Sequence, residues 1–296
     1  MGVSIKKEKS YLARFLILII AVTVLLVAGT LTILYFGLGY RIVSYRYEIE
    51  DSGAARTVRA LVRVDTNGEI FTGTVWCNDG SEFSVDRIDT GYYKIQYSNG
   101  DIYEGGLDRL LKSGYGKLEL ANGDVYEGNF SYDMPWGQGI YTYFNGDVYE
   151  GGFYNGKKSG EGVYTWAEVE GESRRKYEGN FSNDMRNGYG IYHYADGSIY
   201  QGDFVNDLKV DTDATLIIKN EDGTEDIYTG GFANDIKSGH GEYRWDSGAV
   251  YVGEFANDVM EGQGTYTWPD GTHSYTGTFK GNKPYIESSG ANEKDE

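Results

Sequence analysis

The pattern Tyr-x-Gly-x-Phe returns eight times in the last two-thirds of this 296-residue chain. Neighbouring copies are usually 23 residues apart, and the first copy alone departs from the pattern, with Leu107 in place of the phenylalanine. A fixed period of about 20–50 residues is typical of an array of stacked structural units. The sequence therefore predicts such an array and argues against a globular enzyme. The copies begin at Tyr103, Tyr126, Tyr149, Tyr177, Tyr200, Tyr228, Tyr251 and Tyr275.

The alternation of residues within one copy predicts a β-hairpin. In a strand, Tyr126, Gly128 and Phe130 share one face, because successive side chains point to opposite sides of a sheet. The return strand places Gly139 and Tyr141 on one face by the same rule. A glycine beside an aromatic residue on the neighbouring strand lets the ring lie flat across the sheet. That packing explains glycines that would otherwise weaken a strand.

Dipeptides of the Asn-Gly type separate the units, as at Asn122-Gly123 and Asn145-Gly146. Asn-Gly is a strong hairpin signal, because both central residues of a type I′ turn need a positive φ. A single hairpin cannot bury its apolar face alone, so neighbouring hairpins are expected to pair edge to edge. The predicted fold class is all-β, a single-layer antiparallel meander.

A Gly-x-Gly element follows most copies, as at Gly114/Gly116 and Gly239/Gly241. These residues closely resemble the MORN repeat (membrane occupation and recognition nexus), whose pattern is Tyr-x-Gly-x-Phe/Trp, a short loop, Gly-x-Gly-x-Tyr and a turn. The resemblance covers roughly Asn99 to Lys280 and implies an elongated, twisted antiparallel sheet. It also implies a binding or scaffolding role. The repeat-defining residues include Tyr126, Gly128, Phe130, Gly137, Gly139, Tyr149, Gly151, Phe153, Gly160, Gly162, Tyr177, Gly179, Phe181, Gly188, Gly190, Tyr251, Gly253 and Phe255.

An uncharged stretch of 24 residues, 15–38, precedes the repeats. A helix of that length exceeds the bilayer core of about 30 Å, so residues 15–40 are predicted to be a single transmembrane anchor through the lipid bilayer. Four basic residues lie in 1–14 and two follow the stretch, which predicts a cytosolic N-terminus and an extracytoplasmic repeat domain. A cleaved signal peptide is the alternative, with processing at 27–29.

The remaining segments are assigned by their composition and their match to the repeat. The cap is expected to be degenerate, because terminal repeats of an array are atypical. The assignments are a juxtamembrane stalk, with or without an edge strand, over 41–56, a degenerate N-terminal repeat cap over 57–98, the repeat array over 99–285, and a disordered tail over 286–296.

Irregular copies interrupt the period. Two copies carry five extra residues each, near 167–176 and 219–226, which are expected to lengthen hairpin tips. In the fifth copy, Asp211 and Asp213 occupy the expected Gly-x-Gly positions. Seven carboxylates collect around this copy, and Ca²⁺ prefers such oxygen ligands, but Leu216 stands where a calcium loop of the EF-hand type needs glycine. The sequence favours a degenerate repeat with a solvated acidic loop.

The charge distribution limits the classes of partner. The chain has a formal net charge of −18, and residues 47–296 hold 21 basic and 44 acidic residues, a net −23. Such a domain repels nucleic acid and anionic lipid. No nucleic-acid partner is therefore expected, and phospholipid binding is a weaker alternative. Few prolines and many Asn-Gly and Asp-Gly turns are typical of a secreted or surface-tethered bacterial protein.

A set of aromatic residues on the return strands is the candidate binding surface, here called the aromatic ladder. Aligned rings suit a protein partner or a stacked sugar, because aromatic residues are frequent in binding hot spots. The alternative is that these rings form the hydrophobic layer of the sheet. The ladder consists of Tyr141, Tyr143, Tyr164, Trp166, Tyr192, Tyr194, Tyr243, Trp245, Tyr266 and Trp268.

Catalytic residues do not cluster in the sequence. His193, His240 and His273 lie in different copies, and none is within a metal-ligand spacing of another. No metal, no cofactor and no enzymatic activity are predicted. The predicted function is a membrane-anchored, non-enzymatic scaffold for protein partners, with an envelope glycan-binding module or a phospholipid-binding tether as alternatives.

Overall fold

The structure is a computed structural model. It contains two compact units, residues 1–112 and 113–296. The predicted segment 1–14 and the tail residues 287–296 lie outside the described residues. The described residues are 19–20, 22–31, 34, 38–48, 55–64, 70–76, 82–85, 92–108, 111–168, 170 and 175–286.

The first unit begins with helical residues at 19–20 and 22–31. Within this helix, the hydroxyls of Thr23 and Thr30 donate hydrogen bonds to backbone carbonyls four residues earlier. Among the described residues, no helix is both long enough and apolar enough to cross a membrane. Part of the predicted anchor 15–40 lies outside the described residues, so the anchor stays a prediction.

Two sets of strands complete the first unit. Strands β1 (Tyr40–Glu48), β2 (Ala55–Val64), β3 (Ile70–Trp76) and β4 (Glu82–Val85) form a four-stranded antiparallel sheet in chain order, with β1 at its edge. Strand β5 (Tyr92–Gln96) instead pairs with β6 (Ile102–Asp108). The predicted cap over 57–98 is therefore divided between two sets of strands, and the predicted stalk contains the edge strand β1.

The second unit is an antiparallel meander, as the repeat predicted. Each strand pairs with the next along the chain, except that β14 pairs with both β15 and β16. The strands are β7 (Leu111–Glu119), β8 (Val125–Ser131), β9 (Met134–Thr142), β10 (Val148–Tyr154), β11 (Lys157–Thr165), β12 (Lys176–Ser182), β13 (Met185–His193), β14 (Ile199–Val205), β15 (Leu208–Lys209), β16 (Asp211–Lys219), β17 (Glu225–Ala233), β18 (Ile236–Arg244), β19 (Val250–Ala256), β20 (Val259–Thr267), β21 (Ser274–Lys280) and β22 (Lys283–Pro284).

The two faces of this sheet differ as the alternation predicted. In β8, Tyr126, Gly128 and Phe130 are buried, whereas Glu127 and Asn129 are exposed. The face that carries the buried residues is here called the spine face, and the other is the open face. Since cross-strand partners share a face, the return strand β9 places its own tyrosine and glycine on the spine face.

Aromatic rings form a continuous core on the spine face. The ring of Tyr126 is edge-to-face with Phe130 of its own hairpin and with Phe153 of the next, both at 5.0 Å between centroids. The same arrangement recurs in the later hairpins. Such pairs add about 0.5–1.5 kcal/mol beyond their buried area. This aromatic spine comprises Tyr126, Phe130, Tyr149, Phe153, Tyr177, Phe181, Tyr200, Phe204, Tyr228, Phe232, Tyr251, Phe255 and Phe279, all buried.

Glycine backbone supports each motif tyrosine, the first residue of Tyr-x-Gly-x-Phe. A Cβ on Gly139 would lie 2.5–2.8 Å from Oη, Cε2 and Cζ of Tyr126. The Tyr126 hydroxyl donates a hydrogen bond of 2.8 Å to the backbone oxygen of Asn129. The ring is therefore held flat across two strands, which confirms the role predicted for the glycines. The glycine lies diagonally from the tyrosine, because Tyr126 is directly opposite Tyr141.

The prediction that the Asn-Gly dipeptides form type I′ turns is wrong. At Asn122-Gly123 only the glycine has a positive φ, of 93°. The Gly123 amide donates to Leu120 O at 2.9 Å, and the Leu120 amide donates to Asp124 O at 2.8 Å. This is a three-residue loop, a type I turn with a G1 bulge.

The type I′ geometry lies at the opposite end of each hairpin. At Asn183-Asp184, φ is 50° and 73°, and Ser182 pairs with Met185 across the two-residue turn. Asn and Asp tolerate the left-handed region better than other residues with a Cβ, because their short polar side chains bond locally. Equivalent pairs recur in most hairpins, for example Asn206-Asp207.

The fifth copy contains a one-residue shift that the sequence interpretation missed. Gly230 pairs with Gly241 on one side and with Ala214 on the other, so Ala214 occupies the place of a glycine. The predicted positions Asp211 and Asp213 are incorrect. The Asp211 carboxylate instead accepts hydrogen bonds from the amides of Asp203 and Asp213 within an irregular stretch of β16.

The two insertions are placed differently. The first extends the loop between Trp166 and Arg175, whose backbone groups are hydrogen-bonded at 3.1 Å, and residues 169 and 171–174 lie outside the described residues. The second lengthens the hairpin itself, because β17 begins three residues before Tyr228 and pairs with the end of β16.

Replacing Gly162 with alanine is expected to destabilise the second unit by about 1–3 kcal/mol through overpacking. Its Cβ would lie 2.5 Å from Oη of the fully buried Tyr149. Gly160→Ala is the matched control, because no atom lies within 4 Å of its Cβ position and its φ of +76° adds backbone strain alone. Urea unfolding measures the free energy of unfolding of both variants. In a Tyr149→Leu background, the cost of Gly162→Ala should fall while that of Gly160→Ala stays the same. Equal costs in both backgrounds would contradict the ring–glycine contact.

Candidate binding surface of the repeat unit

The aromatic ladder lies on the spine face, beside the buried spine. Tyr141 pairs across the sheet with Tyr126 on one side and with Tyr149 on the other. Nine of the ten ladder rings are half-buried, and Trp268 is the most exposed, at 41%. The ladder is therefore partly open to solvent, whereas the spine beside it is closed.

The ladder forms two runs of touching rings. In the first run, consecutive centroids are 4.5, 5.7, 4.7, 5.3 and 4.6 Å apart. In the second run they are 4.5, 5.5 and 5.2 Å apart. Leu216, which is opposite Tyr200 and Tyr228, takes the ladder position between the two runs. The first run is Tyr141, Tyr143, Tyr164, Trp166, Tyr192 and Tyr194, and the second is Tyr243, Trp245, Tyr266 and Trp268.

Carboxylates fix the ladder tyrosines to the residues just before the paired strand of the same hairpin. The Tyr164 hydroxyl donates to Asp147 Oδ2 at 2.7 Å, and the Ala167 amide donates to Asp147 Oδ1 at 2.8 Å. Asp124 and Asp226 make the same pair of bonds in other hairpins. Each of these aspartates stands two residues before a motif tyrosine, a recurrence visible in the sequence whose role was missed.

These hydrogen bonds change the acidity of both partners. Burial raises the pKa of the Asp147 carboxyl, but the bonds from the Ala167 amide and the Tyr164 hydroxyl outweigh it, so the pKa lies below the ordinary value of 3.8. Burial, with the bond to Asp147, raises the pKa of the Tyr164 hydroxyl. The ladder hydroxyl is therefore a protonated donor and the aspartate an ionised acceptor at neutral pH.

Four basic residues occupy the same position of the spine face in four successive hairpins. They are opposite the spine phenylalanines, as Lys158 is opposite Phe153 and Arg186 is opposite Phe181. Sequence reasoning missed them, because they share no residue type with the aromatic pattern. This cation row consists of Lys158, Arg186, Lys209 and Lys237.

The cations contact both the spine and the ladder. The Lys158 ammonium lies 4.7 Å from the ring centroid of Tyr164, and burial lowers its pKa. Among the described residues, no carboxylate lies within ion-pair distance of it. Arg186 is paired, because its Nε donates to Asp207 Oδ1 at 3.0 Å. Cation–π contacts of this kind contribute about 0.5–2 kcal/mol each.

A small cavity opens between two of these cations. Its volume is about 240 Å³. Ladder rings, spine rings, cations and turn carboxylates all reach its wall, so apolar and charged groups lie side by side. This anchor pocket is lined by Lys158, Tyr164, Trp166, Tyr177, Phe181, Asp184, Arg186 and Asp207.

A second, wider cavity lies at the end of the second ladder run. It measures about 600 Å³ and is lined by Trp268, Pro269, Asp270, His273 and Ser274. Hydrogen bonds from the backbone and side chain of His273 lower the pKa of the Asp270 carboxyl to about 2. An exposed ring and an ionised carboxylate therefore lie side by side at this cavity.

Metal ligands do not gather in the part of the chain that the structure describes, where no group of three or more His, Cys, Asp or Glu side chains is placed to hold an ion. In the acidic fifth copy, Asp207 bonds to Arg186, and Asp211 bonds to backbone amides.

A family model of the MORN repeat matches six segments of the chain, residues 103–125, 126–148, 149–168, 177–199, 228–250 and 251–273. These six segments are similar to the MORN repeat. The copies that begin at Tyr200 and Tyr275 are outside the matched segments. In the Tyr200 copy, Ala214 replaces a glycine of the pattern.

Solved structures offer more distant likenesses. The wild-type TCP10 domain of Danio rerio CPAP is 13% identical, covering 72% of this chain and 94% of that chain, with a TM-score of 0.32. The SAS-4 (dCPAP) TCP domain of Drosophila melanogaster, in complex with a proline-rich motif of Ana2 (dSTIL), is 14% identical, covering 71% and 90%, with a TM-score of 0.25. A catalytically inactive virginiamycin B lyase from Staphylococcus aureus with quinupristin is 10% identical, covering 80% and 88%, with a TM-score of 0.17. Likenesses this low support no conclusion about this chain. No curated protein matches the sequence.

Replacing Asp147 with serine is expected to lower the free energy of unfolding by about 1–3 kcal/mol at neutral pH. Serine keeps one acceptor for the Ala167 amide, as Ser198 does for Lys219, but it leaves the Tyr164 hydroxyl without its carboxylate. Glu150→Ser is the control, because Glu150 is exposed on the open face. Urea unfolding measures the difference.

The same variant has a defined pH dependence. Because the pKa of Asp147 is lowered in the folded state, its contribution is present above the ordinary value of 3.8 and is lost as the pH falls below it. The difference in the free energy of unfolding between wild type and Asp147→Ser should therefore disappear in acid. A difference that stays constant down to about pH 2 would contradict the assigned role.

Proposed function

We propose that this chain is a non-enzymatic scaffold that binds a protein partner through the first run of the aromatic ladder. The observation that carries the proposal is the unbroken contact of six half-buried rings, from Tyr141 to Tyr194, on one face of the sheet. MORN repeats suggest a scaffold or interaction module. The aromatic ladder is the partner-binding surface that we assign to that module.

The rings are already fixed before a partner arrives. The Tyr141 and Tyr164 hydroxyls are bonded to carboxylates, and Lys158 lies against the Tyr164 ring. Association costs about 0.5–1.5 kcal/mol for each flexible side chain that it immobilises, so an arrangement that is already ordered favours binding. Tyr, Trp and Arg are also the residues most frequent at binding hot spots.

The anchor pocket suits one side chain of a partner. Its volume of about 240 Å³ lies below the range of about 300–1,000 Å³ that is typical of small-molecule pockets. Trp166 and Tyr177 provide apolar walls, while Lys158 and Asp184 provide polar groups at the rim. A buried anchor residue surrounded by aromatic contacts is the usual centre of a protein interface.

Glycan binding is a second candidate function, at a different place. The exposed ring of Trp268 borders the wider cavity, and Asp270 lies beside it as a hydrogen-bond acceptor. An exposed indole next to a carboxylate suits a stacked sugar. Phospholipid binding is less favoured, because residues 47–296 carry a net charge of −23.

The membrane placement is part of the proposal and rests on the sequence alone. Residues 15–38 carry no charge, and basic residues precede them. An anchor there would hold the repeats beside a bilayer, with the N-terminus in the cytosol and the repeats outside it. Alkaline extraction of membranes, comparing the full chain with a chain that lacks residues 1–40, tests this placement separately from partner binding.

Trp166→Ala is expected to abolish capture of the partner while leaving the fold intact. The partner is identified by quantitative cross-linking in the native cells, with wild type and variants expressed at equal levels. Tyr189→Ala is the matched control, because Tyr189 is 54% exposed and lies on the open face of the same region. Thermal unfolding of the purified chains checks that both variants fold.

The outcomes separate the candidates. A protein that is lost with Trp166→Ala and kept with Tyr189→Ala supports the proposal. If no cross-linked protein depends on Trp166, the ladder is not the partner surface. A glycan array with purified chain and Trp268→Ala decides the second candidate.

A further inference from the structure

The two-residue turns carry apolar side chains in one half of the second unit. The residue before each turn points to the open face, because it follows directly after a buried spine phenylalanine, as Val205 follows Phe204. The residue after the turn is its cross-strand partner and shares that face, as Leu208 does. Three successive hairpins have apolar residues at both flanking positions. This apolar tip row consists of Val205, Leu208, Ala233, Ile236, Ala256 and Val259.

The larger members in the first two hairpins of this row are open to solvent, whereas Ala256 and Val259 of the third are half-buried. Val205 is 45% exposed, Leu208 is 40% exposed and Ile236 is 38% exposed. In the three preceding hairpins, each flanking pair includes a polar or charged residue, such as Ser131 or Lys157. Neighbouring apolar side chains left exposed together mark interaction sites more often than single ones do.

Backbone and side-chain bonds hold the three tips side by side. The Asp235 amide donates to Lys209 O at 3.1 Å, and the Lys209 amide donates to Asp235 Oδ1 at 3.0 Å. Asp258 makes the same exchange with Lys237, at 3.3 and 2.9 Å. The row is therefore a fixed surface that does not have to assemble when a ligand binds.

Carboxylates border the row on the side of the strands. Asp203 and Glu254 are exposed on the open face, two residues before Val205 and Ala256 respectively. The turn residues Asp207, Asp235 and Asp258 instead accept hydrogen bonds from the preceding hairpin. An apolar strip with an acidic border is complementary to an apolar strip with a basic border.

The spacing of the row favours one backbone conformation for its ligand. Hairpins recur every two strands, about 9.6 Å, and each presents two apolar positions. An α-helix with apolar residues at heptad positions a and d presents two side chains in every seven residues, about 10.5 Å. A β-strand repeats same-face residues about every 6.7 Å, and polyproline II offers one residue in about 9.3 Å. Of these three conformations, the α-helix matches both the spacing of the hairpins and the number of apolar positions in each.

We propose that the apolar tip row binds a basic amphipathic α-helix of a partner protein, with one heptad against each hairpin. Leucine-like residues at a and d contact Leu208 and Ile236, and Lys or Arg residues at the flanking positions face Asp203 and Glu254. The row spans three hairpins, so the helix covers about three heptads. This site lies on the opposite face from the aromatic ladder.

The test uses the full-length chain and a fluorescent synthetic peptide of about three heptads, with leucine at a and d and lysine at e and g. The control peptide has the same composition in an order that breaks the apolar stripe. Fluorescence anisotropy should show binding of the first peptide and not of the second. Binding should weaken as the salt concentration is raised, because the carboxylates of Asp203 and Glu254 are exposed.

The double variant Leu208→Ser/Ile236→Ser is expected to weaken binding by about tenfold or more. Met134→Ser/Met185→Ser is the matched control, because these residues occupy the same turn-flanking positions in hairpins outside the row. It should leave binding unchanged, as should Trp166→Ala on the spine face. Thermal unfolding verifies that each variant is folded.

Three results would overturn the inference. The first is the absence of binding to wild type, and the second is equal weakening by the tip-row and control variants. Loss of binding with Trp166→Ala alone would place the helix on the ladder instead, which also overturns it. The proposed function of the ladder is tested by cross-linking at Trp166 and does not depend on any of these outcomes.

Discussion

The contact between a tyrosine ring and bare glycine backbone is the constraint on which the repeat unit depends. Tyr149 lies flat because Gly151 and Gly162 have no Cβ, and this position exposes its edges to Phe153 and Phe181. The substantial strand contacts of this unit join direct or next neighbours along the sheet. The rings and the glycine backbone therefore provide the core themselves. A side chain at either glycine would lift the ring and break the edge-to-face chain that continues into the next hairpin.

The face assignments could be predicted from the sequence because they follow from the two-residue period of a strand. That period placed Tyr126 with Gly128 on one strand and Gly139 with Tyr141 on the return strand, and the register of the structure shows that the two groups share one face. The turns could not be predicted in the same way. Asn122-Gly123 has the residues that a type I′ turn prefers, yet a third loop residue changes the geometry, whereas Asn183-Asp184 forms the type I′ turn with residues that carry a Cβ. The number of loop residues decides the turn type. That number could not be predicted, because the sequence does not show at which residue a strand ends and a loop begins.

Contacts between residues far apart in the sequence were the part of the candidate site that the sequence hid. Asp147 and Tyr164 are 17 residues apart, and Lys158 and Asp184 are 26 apart, so no local pattern connects them. Ala214 shows a different limit. Counting from Tyr200 predicted glycine positions at 211 and 213, but an irregular stretch of β16 shifted the register by one residue. Because side chains alternate between faces, such a shift moves every later side chain to the other side unless the strand compensates.

The two faces of the sheet differ in how strictly the fold constrains their side chains. Every ring of the aromatic spine and every cation of the row is on the spine face, whereas the open face carries carboxylates such as Glu127, exposed rings such as Tyr189, and the turn-flanking side chains. The spine face is the same in nearly every hairpin, because each ring depends on the glycines beneath it. The open face has no such requirement, so its side chains vary from hairpin to hairpin without loss of the fold. Variation that the core does not constrain is where a repeat protein can acquire a specific partner. The change from polar to apolar tips between the hairpin of Tyr177 and that of Tyr200 is a difference of this kind.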